Sequence, residues 1–390
     1  MTLIADSASL AAFCERLQNA PYITVDTEFV REKTYWPQLC LVQVAGPEEA
    51  MAIDPLAPGM DLAPLFTLMA NPKVLKVFHA ARQDIEIFQH LSGAIPAPLF
   101  DTQVAAMVCG FGDAVSYETL ASQLAHARID KSLRFTDWAQ RPLSDKQLHY
   151  ALSDVTHLRP AYEKLKKRLD RDGRSDWLIE EMAVLTDPKT YRTEPAEAWL
   201  RLKPRSSSPR FLVVLKELAA WRETEAQDRD LPRQRVIRDE ALLEIAAHAP
   251  AAAEDLARTR GLSKGLAEGR QGTAILAAVQ RALATPEAEW PKAPERNDLP
   301  RGLGPVVDLL KVLLKLKCDQ NDVAQKLVAC SADLEAIAAD DKAKVAALSG
   351  WRRTIFGEDA LALKHGRIGL ALAADGRSLR LIPLTENTAQ

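Results

Sequence analysis

Short apolar segments and helical patterns alternate in the N-terminal part of the chain and predict a layered α/β domain. Five segments have the length and apolar content of strands: TLIA (2–5), YITVDTEF (22–29), QLCLVQVA (38–45), AMAID (50–54) and KVLKVFH (73–79). The patterns SLAAFCERL (9–17) and DLAPLFTLMA (61–70) are helical. The first strands follow one another by short connections, as in an antiparallel meander, and helices separate the later ones. This predicts a mixed sheet rather than a doubly wound parallel one.

From about Asp101 onward the hydrophobic pattern is helical, and two polar stretches interrupt it. KPRSSSPR (203–210) and ATPEAEWPKAPERNDLPRG (284–302) contain prolines and lack periodicity, which is typical of linkers. We therefore predict an α/β domain at 1–203, followed by two small all-α domains at 209–287 and 300–385. Each helical unit is about the size of a minimal independent domain.

The composition is that of an ordinary globular protein, since 47% of the 390 residues are hydrophobic and 26% are charged. The formal net charge of −3 weighs weakly against nucleic-acid binding, because such proteins often carry a broad basic surface. The five cysteines lack zinc spacing and Cys-x-x-Cys pairs, and we expect a reduced, cytoplasmic protein. No apolar run reaches the length of a membrane span, so we expect no membrane association.

Three short motifs carry carboxylates at the ends of predicted elements. Asp26 and Glu28 are two apart on a strand, so their side chains point to the same face. Asp84 follows another strand and lies near the start of a helix. Tyr150 and Asp154 are four apart in a helical pattern, which places them one turn apart on one face.

A cluster of carboxylates suits the hydrolysis of a phosphodiester. The reaction needs an activated water and stabilisation of the charge that builds on the phosphorus and leaving oxygens. Two Mg²⁺ or Mn²⁺ ions about 3.5–4 Å apart activate the water and stabilise the charge on both kinds of oxygen. Such hard cations prefer oxygen ligands. Close carboxylates repel one another without cations, so metal binding should stabilise the fold.

Each motif also has an ordinary interpretation. Asp26 and Glu28 could mark a solvated strand exit, and Asp84 could favour the positive end of its helix. Tyr150 and Asp154 could be an amphipathic helical pair. The joint occurrence of three acidic motifs, at the ends of elements that a sheet would bring together, favours a nuclease.

The motifs VDTEF, HAARQD and YALSD resemble the three exonuclease motifs of the Tyr-containing subclass of the DEDD superfamily. The stretch IDKSLRFTDWAQRPLSDKQLHYALSDVTHLRPAYEKL is similar to the corresponding part of the ribonuclease D family. The resemblance covers residues 1–200 and implies a 3′-to-5′ exonuclease on an RNase H-like sheet with two divalent metal ions. It implies a water-positioning role for Tyr150 and metal-ligand roles for four carboxylates: Asp26, Glu28, Asp84 and Asp154.

The helical half strengthens this resemblance. The stretch WRETEAQDRDLPRQRVIRDEALLEIA (221–246) resembles the HRDC domain, the helicase and RNase D C-terminal domain. We interpret 300–385 as a diverged second HRDC-type copy. The family resemblance implies RNA substrates, and we expect these to be tRNA precursors with 3′ extensions. We infer no obligate protein partner.

Four further residues are candidates for substrate binding. Phe29 could stack on terminal bases, and His79 could contact the scissile region. Lys131 and Arg141 could contact phosphates. Core packing, a satisfied histidine and a solvated basic face are the competing interpretations.

Two other functions remain open. The acidic motifs do not distinguish ribose from deoxyribose, so a DNA-directed 3′-to-5′ exonuclease is one alternative. A non-catalytic nucleic-acid-binding scaffold is the other, but it predicts a broken carboxylate set, and here the set is intact.

Overall fold

A computed structural model describes residues 2–129, 131–134, 136–203, 206–292 and 300–384, without the side chain of Lys131. The N-terminal strands are β1 Leu3–Ile4, β2 Tyr22–Val30, β3 Gln38–Ala45, β4 Ala50–Ile53, β5 Leu75–Phe78 and β6 Leu99–Asp101. The helices of this part are α1 Ser7–Leu17, α2 Ala63–Ala70, α3 Arg82–Ser92, α4 Thr102–Val108, α5 Tyr117–Leu120, α6 Asp145–Thr156, α7 Leu158–Arg171 and α8 Ser175–Thr186.

The six strands form one mixed sheet in the order β1-β4-β3-β2-β5-β6. Strands β2, β3 and β4 are antiparallel neighbours, whereas β5 runs parallel to β2, β6 to β5 and β1 to β4. The predicted mixed sheet is confirmed. Strand β2 lies inside it, with β3 on one side and β5 on the other. Strand β5 pairs only with the first three residues of β2, whereas β3 pairs with it from Thr24 to Val30, so the C-terminal end of β2 is held by β3 and extends beyond β5.

Alternation along β2 divides its side chains between two layers. Ile23 and Val25 are fully buried in a core with α1, α2 and α3. The residues between them face the opposite layer, where the Thr24 hydroxyl donates to the Val155 carbonyl of α6 over 2.8 Å. The face that carries Asp26 and Glu28 is therefore the face covered by α6.

The first helical unit comprises α9 Pro209–Asp228, α10 Arg233–Val236, α11 Asp239–His248, α12 Ala253–Leu256, α13 Lys264–Glu268 and α14 Arg270–Ala284. Its core also contains Ala198 and Leu202, which lie in and just after the 3-10 turn Pro195–Arg201. The boundary predicted at residue 203 directly follows this turn. The apolar side chains before the linker belong to the helical unit by packing.

The second helical unit comprises α15 Gly304–Gln320, α16 Gln325–Val328, α17 Ser331–Ala339, α18 Gly350–Arg352 and α19 Glu358–Lys364. It ends in an antiparallel hairpin of β7 Ile368–Leu372 and β8 Leu379–Pro383, where we predicted helix. The left-handed Gly366, with φ of 67°, follows the last helix and allows the chain to turn into β7. The all-α description of this unit is therefore corrected at its C-terminal end.

The second unit packs directly against the α/β domain and is not joined to the rest of the chain by a linker alone. One continuous core joins α4, α7 and α8 to α15 and the residues around Phe356. The indoles of Trp177 and Trp351 stack with centroids 4.3 Å apart, and the Ala324 amide donates to the Met107 carbonyl over 2.9 Å. Sequence periodicity identifies apolar faces but not their partners, so this contact was not foreseen. Among the described residues, no helix is long and apolar enough to cross a membrane.

Candidate active site

Three elements, β2, α3 and α6, bring the predicted carboxylates together near the C-terminal end of β2. Strand β2 supplies Asp26 and Glu28, and α6 supplies Asp154. One carboxylate oxygen from each of these residues lies within 4.8 Å of the other two. A β-bulge follows directly after Glu28 and turns the strand there.

Asp84 joins the cluster from the first turn of α3. Its carboxylate is 7% exposed and accepts a hydrogen bond from the Thr27 hydroxyl of β2. The charge of Asp26 contributes to raising the pKa of Asp84, after burial, so the two carboxylates are electrostatic neighbours. Asp84 is not one of the three residues whose oxygens converge, and it lies next to Asp26 at the edge of that group.

Asp101 fixes the start of α3. Its carboxylate accepts from the backbone amides of Ala80 and Ala81 over 3.0 and 2.9 Å. The same carboxylate caps α4 by accepting from the Gln103 amide over 2.7 Å. Ala80 has φ of 58°, a left-handed conformation that needs such support. The side chain thereby holds the turn that delivers Asp84.

Helix α6 is also anchored at both ends. Ser144 and Gln147 form a capping box at its first turn. Near its end, the Tyr117 hydroxyl donates to the Ser153 carbonyl over 3.0 Å. Sequence reasoning missed Tyr117, because a tyrosine in a short helical pattern gives no signal of what its hydroxyl will reach.

Burial raises the pKa of every carboxyl group in the cluster, and repulsion by neighbouring carboxylates adds to this for Glu28, Asp84 and Asp154. Burial first, and then the charges of Asp26, Asp154 and Asp84, raise the pKa of Glu28 to about 10. Burial and the charge of Asp26 raise the pKa of Asp154 to about 8. Four carboxylates cannot all be charged here without a compensating cation.

The donor set fits a divalent metal ion. Carboxylate oxygens are the ligands that Mg²⁺ and Mn²⁺ prefer. The Oδ1 atom of Asp154 is buried and has no hydrogen-bond partner among the described residues, which leaves a lone pair for a cation. Asp26, Glu28 and Asp154 would bind the ion most directly, because their oxygens already converge.

Tyr150 lies beside this cluster. Burial and the nearby charges of Asp154, Glu28 and Asp26 raise the pKa of its hydroxyl above the usual value. The ring stacks on Trp138, a residue only 2% exposed, with centroids 6.1 Å apart. Tyr150 is thus a rigidly held hydrogen-bond donor that keeps its proton at neutral pH.

A cavity of about 380 Å³ opens next to the carboxylates. Its walls include three catalytic candidates, a further aromatic ring, a histidine and a cation, namely Asp26, Tyr150, Asp154, Tyr117, His79 and Arg134. The charge of Arg134 opposes the rise in the pKa of Glu28, so this cation lies close to the cluster. The cavity therefore combines carboxylates with a positive group suited to a phosphate.

The four substrate-binding candidates have different surroundings. Phe29 is half-buried and packs against the core on the other face of β2. His79 lines the cavity, with Nδ1 3.0 Å from the Thr102 hydroxyl. The side chain of Lys131 lies outside the described residues.

Arg141 is held by several contacts within the fold. Its guanidinium forms a two-point ion pair with Asp54 over 2.7 and 2.8 Å. It also donates to the carbonyl oxygens of Cys40 and Trp138 over 2.6 and 2.8 Å. These contacts tie the segment before α6 to the sheet and give Arg141 a structural role, while its contact with phosphate stays a prediction.

Comparison with known proteins agrees with this geometry. A 3′-5′ exonuclease family model matches residues 1–170, and an HRDC domain model matches residues 211–279. Ribonuclease D of Granulibacter bethesdensis is 54% identical over 98% of this chain and 96% of its own length. Ribonuclease D of Zymomonas mobilis is 45% identical over 97% and 98%.

Comparison with solved structures also finds an exoribonuclease of this family. The crystal structure of Escherichia coli RNase D, an exoribonuclease involved in structured RNA processing, superposes with a TM-score of 0.80 and 30% identity. The match covers 93% of this chain and 98% of that one. Fold and site together define a 3′-to-5′ exonuclease with a C-terminal HRDC domain. The chain belongs to the ribonuclease D family and is a 3′-to-5′ exoribonuclease, as the sequence motifs predicted.

Proposed function

We propose that this exoribonuclease removes nucleoside 5′-monophosphates one at a time from RNA 3′ ends by two-metal-ion hydrolysis. The observation that carries the proposal is the convergence of Asp26, Glu28 and Asp154, with Asp84 beside Asp26. The ions, when bound, would activate the attacking water and stabilise charge on the phosphate and the leaving oxygen. The four carboxylates hold and orient them.

Tyr150 orients the attacking water through its hydroxyl. A tyrosine whose pKa is raised by burial and by neighbouring carboxylates is a poor general base. The same hydroxyl, held by the stacked Trp138, is a fixed donor next to Asp154. Tyr150 therefore positions the attacking water and keeps its own proton on the tyrosine oxygen.

The substrates we propose are tRNA precursors with 3′ extensions, acted on in the cytoplasm without an obligate protein partner. The family membership and the HRDC domain support an RNA substrate. The solved relative from Escherichia coli acts in structured RNA processing, which supports a folded RNA. Four of the five cysteines are buried and all five are free, in keeping with a reducing compartment.

The test is digestion of a 3′-extended tRNA precursor with and without Mg²⁺, with products identified by mass. Wild-type protein should release nucleoside 5′-monophosphates only with metal, and Asp26→Asn should release almost none. Glu48→Gln, an exposed residue in the loop between β3 and β4, is the matched control and should keep full activity. Faster digestion of a matched DNA oligonucleotide than of RNA, or release of 3′-phosphates, would contradict the proposal.

A further inference from the structure

The segment 31–37 connects β2 to β3 and directly follows the strand that carries Asp26 and Glu28. It has no regular secondary structure, yet Tyr35 and Pro37 within it are buried. A connection of this kind normally runs over the surface. Here it lies between the α/β domain and the first helical unit, and we call it the junction segment.

On one side, the junction segment binds α3. The Arg31 guanidinium forms a two-point ion pair with Glu86 over 2.8 and 3.0 Å. The Trp36 ring stacks on His90 with centroids 4.1 Å apart and planes 11° apart. Glu86 lies two residues after Asp84, so these contacts tie the end of β2 to the helix that carries the fourth carboxylate.

On the other side, it binds the first helical unit. Tyr35 is 5% exposed, and its hydroxyl donates to Glu223, a carboxylate that is 1% exposed. Arg233 donates to the Tyr35 oxygen over 2.8 Å and to both oxygens of Glu223 over 2.5 and 2.6 Å. Its guanidinium also lies over the Tyr35 ring, 4.6 Å from the centroid.

Backbone contacts complete this anchor. The amides of Tyr35 and Trp36 both donate to the Asp230 carboxylate, over 3.0 and 2.9 Å. Because Glu223 is buried, removal of Arg233 would leave an uncompensated buried charge, which is costly. The helical unit thus holds the junction segment by main chain and side chain together.

We propose that the junction segment is a positioning element for hydrolysis, with the first helical unit as its anchor. It fixes β2 relative to α3, and hence Asp26 and Glu28 relative to Asp84. The inference rests on the proposed two-metal site. It gives the helical unit a role in the geometry of the active site, in addition to any contact with RNA.

The test uses a four-nucleotide single-stranded RNA as substrate, with Tyr35→Phe and Glu86→Gln as variants. Misplacement of reacting groups by a fraction of an ångström lowers rates steeply, so kcat should fall roughly tenfold in each, with little change in KM. The Mg²⁺ concentration for half-maximal rate should rise in both variants. The rise in melting temperature that Mg²⁺ causes should shrink.

Asp239→Asn is the matched control, because Asp239 pairs over 2.6 Å with the buried Arg222 inside the same helical unit and away from the junction segment. It should lower the melting temperature without changing kcat or the Mg²⁺ dependence. Wild-type kcat in both junction variants, or a change in KM alone, would overturn the proposal. If the wild-type protein shows no Mg²⁺-dependent hydrolysis, the proposed function fails instead. The Mg²⁺-induced melting shift then still decides whether the junction segment positions the carboxylates.

Discussion

At the scale of single residues, the carboxylate cluster opposes folding when no cation is bound. The pKa of Glu28 is about 10 in the folded protein and about 4.3 in an unfolded chain. Between these values the folded protein binds more protons than the unfolded chain, so its free energy of unfolding falls as pH rises. Catalysis and stability are thus in conflict at this site.

We therefore expect the metal-free protein to lose stability between about pH 5 and pH 9. Saturating Mg²⁺ should remove much of this loss, and Glu28→Gln should flatten it while abolishing hydrolysis. Urea unfolding at several pH values, with EDTA or with Mg²⁺, measures the effect. A metal-free protein whose stability rises over this range would contradict the repulsion that we describe.

Tyr150→Phe separates positioning from binding. The substitution keeps the stacking on Trp138 but removes the only polar group of the side chain. We expect the single-turnover rate to fall roughly 10²- to 10⁴-fold, with RNA affinity and Mg²⁺ affinity little changed. Rapid-quench kinetics and binding to a non-hydrolysable RNA analogue make the two measurements. Weak RNA binding in the variant would show a substrate-contact role instead.

The sequence was informative about residues where local geometry decides the outcome. Strand alternation and the helical turn placed Asp26, Glu28, Tyr150 and Asp154 on the correct faces. The ion pair of Arg141 with Asp54 was not predicted, because Asp54 is distant in sequence and only the folded sheet brings the two together. No local pattern reports such a pair.

At the scale of elements, Asp101 supports two helices at once. Asp101→Ala removes the acceptor for the amides of Ala80, Ala81 and Gln103. An ordinary N-cap contributes about 1 kcal/mol, and a buried donor left without a partner costs about 1–3 kcal/mol. We expect Asp101→Ala to lower the free energy of unfolding by about 3 kcal/mol or more.

Asp6→Ala is the comparison for this prediction, since Asp6 caps α1 alone by accepting from the Ser9 amide over 2.8 Å. It should cost only about 1 kcal/mol. Chemical denaturation measures both values. Equal costs would mean that Asp101 is no more than a helix cap. A lower rate of RNA hydrolysis by Asp101→Ala at saturating Mg²⁺ would show that the turn at Ala80 and Ala81 also positions Asp84.

The strength of the local pattern decided which strands the sequence could reveal. Five strands were predicted from their apolar segments, but β6, with three residues directly before the helical pattern that begins at Asp101, was not. Strand pairing stabilises such a short segment, because β6 bonds along β5. The hairpin of β7 and β8 was missed for a related reason, since its side chains are only partly buried and its sequence has no strong alternation.

At the scale of the whole molecule, both helical units pack against the α/β domain and support its structure. The second unit shares its core, and the first holds the junction segment. Composition predicts linkers at two polar stretches, but a linker does not imply that the units it joins are independent. Removing either unit would expose apolar or charged surface that is buried in the intact chain.

Gly110 tests the contact of the second unit directly. It has φ of 79°, and a Cβ added there would lie 2.8 Å from the backbone oxygen of Asp322. Gly112 has φ of 96° in the same loop, but a Cβ there would meet nothing within 4 Å. Both alanine substitutions incur the cost of a left-handed backbone, roughly 1–2 kcal/mol, whereas only the first forces two units apart.

We expect Gly110→Ala to lower the free energy of unfolding by a further 1–3 kcal/mol, about the usual cost of overpacking, relative to Gly112→Ala. Hydrogen exchange should rise at the facing surfaces, α4 and α15, in Gly110→Ala alone. Urea unfolding and exchange mass spectrometry on the full chain make these measurements. If the two variants are equally stable and exchange alike, the loop yields without strain, and the contact between the second unit and the α/β domain is looser than its continuous core implies.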